Sequence, residues 1–252
     1  MEDVMSIVKS VFSGSTACKG CGASIGLKIA LQTLNNVILV NSTGCMTLTG
    51  KYLKVPFIHG GFNAVSVSKG LVHANKDANI LVYAGDGATR TCLQSLLSTK
   101  ENILYICYNN SGFCNFGYNK NDESIAKLMV FNASYVATAS ISYPDDYIKK
   151  IKKAQTINGF KFIEILTPCP ISWGFDPSYT IEIGRLAVET AIWPLYEIED
   201  GILNLTKRPT RLEPVERYIE LQKRFSLSTE QIQTIQETVN KKWKSLLDGK
   251  IK

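Results

Sequence analysis

Five apolar runs punctuate the first two thirds of the chain: "NVILVN" (36–41), "NILVYA" (79–84), "NILYICYN" (102–109), "ASYVATAS" (133–140) and "FKFIEILT" (160–167). They are rich in Val, Ile, Leu and Tyr and lack polar alternation, as strands do when both faces are covered. Between them, segments 22–35, 62–75, 89–99, 121–131 and 144–157 carry apolar residues at helical spacing. This alternation predicts βαβ units and an α/β fold, a mainly parallel sheet with helices on both faces. Further on, the pattern predicts a helix over Tyr179–Thr190 and a hairpin in "PLYEIEDGILNLT" around Asp200-Gly201. Two terminal helices follow within 213–247, the second opening at a Ser228 cap with Glu230 and Gln231 in its first turn. No repeat, low-complexity tract or linker intervenes. The chain reads as one main unit over 1–212 with a C-terminal helical extension over 213–252.

Composition narrows the class. The chain has 252 residues, 45% hydrophobic and 20% charged, enough for a sizeable core. Its formal charge of +6 is scattered except near the C-terminus, where Lys241, Lys242, Lys244, Lys250 and Lys252 fit a solvated helix face and tail. No element interleaves basic residues with aromatics, so a nucleic-acid partner is not expected. The surplus charge suits anionic partners or phosphorylated ligands. "MEDVMSIVKSVFSGSTACKG" lacks a signal-peptide layout and no apolar run approaches a membrane span. A soluble, cytoplasmic protein without a membrane partner is the expectation. Seven cysteines there argue against a disulfide framework and for metal or redox use of some of them.

Two predicted strands end in oxygen donors. "YAGDGATR" stops on Gly85-Asp86-Gly87, and "YNNSGFCNFG" places Asn110 at the corresponding end of the next strand. In open α/β sheets ligands sit beyond the carboxyl ends of strands, so Asp86 and Asn110 can converge. One carboxylate with amide and backbone oxygens suits Mg²⁺, and phosphate oxygens complete such a shell. Gly85 and Gly87 let backbone approach closely, and a helix starting near Ala88 aims N–H groups at an anion. Alone, each motif is an ordinary turn; the pair points to a ligand. "GDG…NN" resembles the thiamin diphosphate and magnesium signature of thiamin-dependent enzymes. That resemblance implies Asp86, the Asn110 side chain and the Gly112 carbonyl as Mg²⁺ ligands.

Cysteine spacing adds a second candidate centre. Cys18 and Cys21 form C-x2-C in "ACKGCGA", Cys45 follows the first predicted strand in "STGCMT", and Cys169 follows the last in "TPCPISWG". All can reach the sheet edge that carries Asp86. Four thiolates suit zinc or a [4Fe–4S] cluster, and a C-x2-C alone also suits a thiol redox pair. Cys107 reads as a small buried hydrophobe and Cys92 as a packed helix residue; Cys114, in the loop that the thiamin resemblance gives to the cofactor, reads as a pocket-lining residue.

Together with "CKGCGA", "NSTGCM", "GDG" and "YNNSGFCNFG", the segments "YVATASISYP", "TPCPISWG", "IEIGRLAVETAIWPLYEIEDG" and "PVERYIELQKRF" resemble the β subunit of 2-oxoacid:ferredoxin oxidoreductases, nearest the pyruvate group. The match runs from about Cys18 to Phe225. It implies the thiamin diphosphate-binding fold, with Cys18, Cys21, Cys45 and Cys169 as ligands of the [4Fe–4S] cluster nearest the thiamin. It further implies coenzyme A as co-substrate, ferredoxin as electron acceptor, and α, γ and δ type subunits that complete the site. By the same resemblance Asn115 faces the substrate, while His59 and the Cys21-Gly22 turn contact the cofactor; a structural histidine is the other reading of His59. Ala23 stands where some relatives carry a glutamate, and His73 reads as a surface residue. Departures are "NFG" for the usual "NTG" at 115–117, "GYNKN" for "GxQRS", and a shortened segment over Lys120–Phe131. Pyruvate leads as the small 2-oxoacid substrate; branched-chain 2-oxoacids, 2-oxoglutarate and oxalate stay open.

Overall fold

The computed structural model describes residues 10–111 and 124–250. Eight strands form one sheet in the order β2-β1-β3-β4-β6-β5-β7-β8. The strands are β1 (Val37–Asn41), β2 (Phe57–His59), β3 (Asn79–Gly85), β4 (Ile103–Asn109), β5 (Tyr135–Ser140), β6 (Lys161–Leu166), β7 (Tyr196–Glu199) and β8 (Ile202–Leu205). β1 to β6 pair in parallel; β7 and β8 add an antiparallel edge. Its turn places Asp200 and Gly201 both at positive φ, 50° and 77°, as a two-residue hairpin loop of the mirror-image type requires.

The five apolar runs lack alternation because helices cover both faces. Along β3, Leu81 and Tyr83 pack with α1 (Gly22–Thr33) and α6 (Pro144–Thr156), while Ile80, Val82 and Ala84 join the core under α2 (Ala64–Ala74). α1 ends before the expected residue 35 because the chain turns through Asn36 at φ 47° to enter β1. A third cluster joins α7 (Pro170–Trp173) and α8 (Thr180–Glu189) to α9 (Val215–Glu220) and α10 (Thr229–Leu247). α10 opens on a capping box in which Ser228 Oγ accepts from Gln231 N.

Further expectations change. The helix over 89–99 is two short helices, α3 (Asp86–Thr91) and α4 (Leu93–Leu97), broken at Cys92. Thr89 and Thr91 turn their hydroxyls onto the carbonyls of Gly85 and Ala88, a local competition that bends helices. α3 also begins at Asp86 rather than near Ala88. Within 121–131 the helix α5 covers Ile125–Met129; residues 121–123 lie outside the described residues. Strand β2 and a 3-10 helix over Cys45–Tyr52 had no periodic signal to announce them. Among the described residues no helix is long and apolar enough to cross a membrane.

Candidate functional site

Connections after β1 lead to β2 on one side, and those after β3 lead to β4 on the other. The carboxyl ends of β1 and β3 thus flank a topological switch point, where open α/β sheets bind ligands. Cys45 follows β1 and Asp86 follows β3. Asn110 follows β4 and Cys169 follows β6, the next two strands along the sheet.

The C-x2-C turn reaches this edge because two glycines let it dock. Gly22 donates its N–H to the Pro168 carbonyl at 3.2 Å, and a Cβ on it would lie 2.7 Å from Pro168 O and Thr167 C. Gly20 sits at φ 66° with its carbonyl accepting from Thr180 Oγ1 at 2.8 Å. The sequence "CKGCG" therefore clamps Cys18 and Cys21 onto the loop that carries Cys169. That loop is shaped in turn by Pro170 at the start of α7 and by Ser172 N–H donating to Cys169 Sγ at 3.4 Å.

All four sulfurs share one electrostatic neighbourhood. Burial, and after it the nearby Cys169 and Cys45, pushes the Cys21 thiol up. Cys45 is raised by burial, then by Cys169 and Cys18. Cys18 and Cys45 are exposed, Cys21 and Cys169 half-buried. The raised Cys21 and Cys45 thiols resist ionisation until a cation takes them as ligands. The donor chemistry, four sulfurs on three loops, fits a thiolate-held cluster. They do not form a finished cage: among the described residues no three His, Cys, Asp or Glu side chains gather closely enough to grip an ion.

Asp86 is 5% exposed and opens α3, within electrostatic reach of the Tyr108 hydroxyl. Gly85 and Tyr108 are register partners, so Asp86 and Asn110 leave neighbouring strands at the same edge. A Cβ on Gly85 would lie 3.0 Å from the Tyr108 ring, so the absent side chain at 85 makes room for that tyrosine. Tyr108 stacks on Tyr83, whose hydroxyl donates to the Ala23 carbonyl at 2.7 Å. Trp173, three residues after the Cys169-Pro170 bond, donates Nε1–H to the Asn110 carbonyl at 2.6 Å. The acid-and-amide edge and the sulfur edge are thus joined by a direct hydrogen bond.

His59 is exposed at the end of β2, its Nδ1 2.9 Å from Asn41 Oδ1. Asn41 and the Gly44 N–H both donate to Thr47 Oγ1, so His59 joins the network that shapes the Cys45 loop. His73 is exposed on α2. Cys107 and Cys92 are buried inside the core. Gly87 lies within α3. Gly112, Cys114 and Asn115 lie outside the described residues.

Several residues at this edge escaped the sequence reading. Ser42 Oγ and Thr167 Oγ1, just past β1 and β6, are buried with no hydrogen-bond partner among the described residues. Such atoms at a strand end mark polar capacity that a ligand can use. Trp173 and, inside β6, Glu164 were also missed; the acid in the mostly apolar "FKFIEILT" was the available signal for the second.

No protein-family model matches the chain. It is 40% identical over 269 residues to the pyruvate synthase subunit PorB of Methanothermobacter marburgensis, covering 90% of this chain and 93% of that one. It is 32% identical over 287 residues to the ketoisovalerate oxidoreductase subunit VorB of Pyrococcus abyssi, covering 94% and 92%. The fold is similar to the solved 2-oxoglutarate:ferredoxin oxidoreductase from Magnetococcus marinus, with a TM-score of 0.57 at 19% identity over 73% of this chain and 82% of that one. A chain this similar to such subunits, folded on this mainly parallel sheet, belongs to the β-subunit family of the 2-oxoacid:ferredoxin oxidoreductases, enzymes that work as multi-subunit complexes.

Proposed function

We propose that this subunit binds thiamin diphosphate through Mg²⁺ held by Asp86, Asn110 and Gly112, beside a [4Fe–4S] cluster held by Cys18, Cys21, Cys45 and Cys169. The complex then oxidatively decarboxylates a 2-oxoacid, with pyruvate first, or runs the reverse carboxylation. When bound, the coenzyme supplies a nucleophilic carbon and an electron sink, and the cluster supplies one-electron steps. Acyl transfer goes to coenzyme A and electrons go to ferredoxin, with α, γ and δ type subunits completing the enzyme in the cytoplasm. Residues 1–212 form the cofactor-binding unit and 213–252 the helical extension that buttresses the Cys169 loop.

The chain's own residues contribute positioning. Asp86 and the Asn110 amide offer hard oxygens to the metal that neutralises a diphosphate. Asn115 orients the substrate carboxylate or the developing oxyanion. Gly20 and Gly22 keep the two halves of the sulfur set together. The observation that carries the reading is the Trp173–Asn110 hydrogen bond, which couples the Cys169 loop to the proposed magnesium edge.

Anaerobic expression of the full complex tests it. Near four irons and four sulfides in this subunit, Mg²⁺-dependent thiamin diphosphate binding, and turnover within a panel of 2-oxoacids are the expected results. Cys169→Ser and Cys45→Ser should each lose the iron while Cys107→Ala keeps it. A colourless zinc-loaded subunit, or activity that survives Cys169→Ser, would refute the reading. The ketoisovalerate relative makes a branched-chain 2-oxoacid the foremost rival substrate within that panel.

A further inference from the structure

Glu164 sits in the middle of β6, paired on both sides, and is 0% exposed. Its neighbours Ile163 and Ile165 are apolar, and an apolar side chain would be cheaper here than a buried carboxylate. Every contact on it is a donor. Oε1 accepts from Asn109 Nδ2 at 2.8 Å. Oε2 accepts from Ala126 N at 2.8 Å and from Ser124 Oγ. Asn109 ends β4, and Ser124 and Ala126 lie at the start of α5, so one carboxylate ties together two stems, the end of one element and the start of the next.

The amide of Asn109 passes the constraint on. With its NH₂ committed to Glu164, its Oδ1 faces the next turn and accepts from Ser111 N at 2.9 Å. Ser111 is held at φ 50°, a left-handed conformation that disfavours a non-glycine residue. Asn110 is therefore bracketed: Asn109 and Ser111 are locked on either side, and Trp173 grips its carbonyl. We propose that Glu164 is a positioning residue, fixing the orientation of the Asn109 amide and through it the pose of Asn110. This rests on the reading of Asn110 as a magnesium ligand.

An amide at 164 cannot satisfy both stems. Turned one way, its NH₂ opposes the Ala126 N–H. Turned the other way, it forces the Asn109 amide over and strips Oδ1 from Ser111. Glu164→Gln in the assembled complex should weaken Mg²⁺ binding, measured with thiamin diphosphate present, by about 10–100-fold, with iron content unchanged. Asn109→Asp added to Glu164→Gln reverses donor and acceptor, accepting from the new amide while still accepting from Ser111 N. The double variant should recover affinity to within about 3-fold of wild type. Asn109→Ala removes the link and leaves Glu164 intact; it should lose affinity as Glu164→Gln does, and it serves alone if Glu164→Gln fails to assemble. Wild-type Mg²⁺ affinity in either single variant, or a double variant no better than Glu164→Gln, overturns the proposal. If the unaltered complex shows no Mg²⁺-dependent thiamin diphosphate binding, or Asp86→Ala leaves that binding intact, the cofactor reading itself has failed.

Discussion

Gly22 is where sequence chemistry and packing meet most tightly. A methyl group there would press on the backbone of Thr167 and Pro168 at 2.7 Å, atoms that cannot rotate aside. Gly22→Ala should cost about 1–3 kcal/mol and separate the C-x2-C turn from the Cys169 loop. Thermal melting and iron per chain check it: a lowered midpoint together with lost iron is expected. Lys161 supplies a different test at the opposite, amino-terminal end of β6. It is buried, donates to Asn102 Oδ1, and burial pushes its amine down to about 8. Between pH 8 and 10 the unfolded chain holds a proton that the folded chain has released, so stability gains as pH rises through that window. Relative to Lys161→Met, wild type should gain up to roughly 3 kcal/mol across it, read from denaturant unfolding at each pH. Which residues carry oxygen and sulfur at the strand ends was legible from residue type and spacing. The partners of Glu164 and Trp173 were not, because groups 40 and 63 residues apart meet only after the sheet forms.

At the scale of elements, the continuous apolar runs became β1, β3, β4, β5 and β6 because two faces of the sheet had to be covered. The "EDG" hairpin and the Ser228 cap were legible for local reasons: positive φ at the turn and a free N–H at the helix start. Ser228→Ala should cost about 1 kcal/mol. In a chain of this length that lowers the melting midpoint by about 2–4 °C, which calorimetry reads. β2 was not legible. Three residues give no period, and Phe57, Ile58 and His59 become a strand only by pairing with Leu39, Val40 and Asn41. The break at Cys92 was equally hidden, since threonine hydroxyls decide it through bonds to nearby carbonyls.

Over the whole molecule, the cysteine edge is flanked by exposed apolar side chains: Leu48 at 66% after Cys45, and Ile171 at 74% after Cys169. Apolar groups left open beside a site suit burial by another subunit. On the proposed function, such a partner supplies the acid that activates the pyrimidine of thiamin. The isolated, cluster-loaded chain should therefore show no 2-oxoacid oxidation, and turnover should appear when the partner subunits are added; steady-state assays before and after reconstitution check this. The sequence by itself determined the alternation of strands and helices, the chemistry available at the strand ends and the family, because each depends on local periodicity, residue type or likeness along the chain. Tertiary structure alone decided which ends lie together: the switch point between β1 and β3, the docking of the C-x2-C turn by Gly20 and Gly22, and the Glu164 and Trp173 links around Asn110. Those contacts join residues far apart in the chain, and their energies exist only once the sheet has brought them within hydrogen-bonding reach.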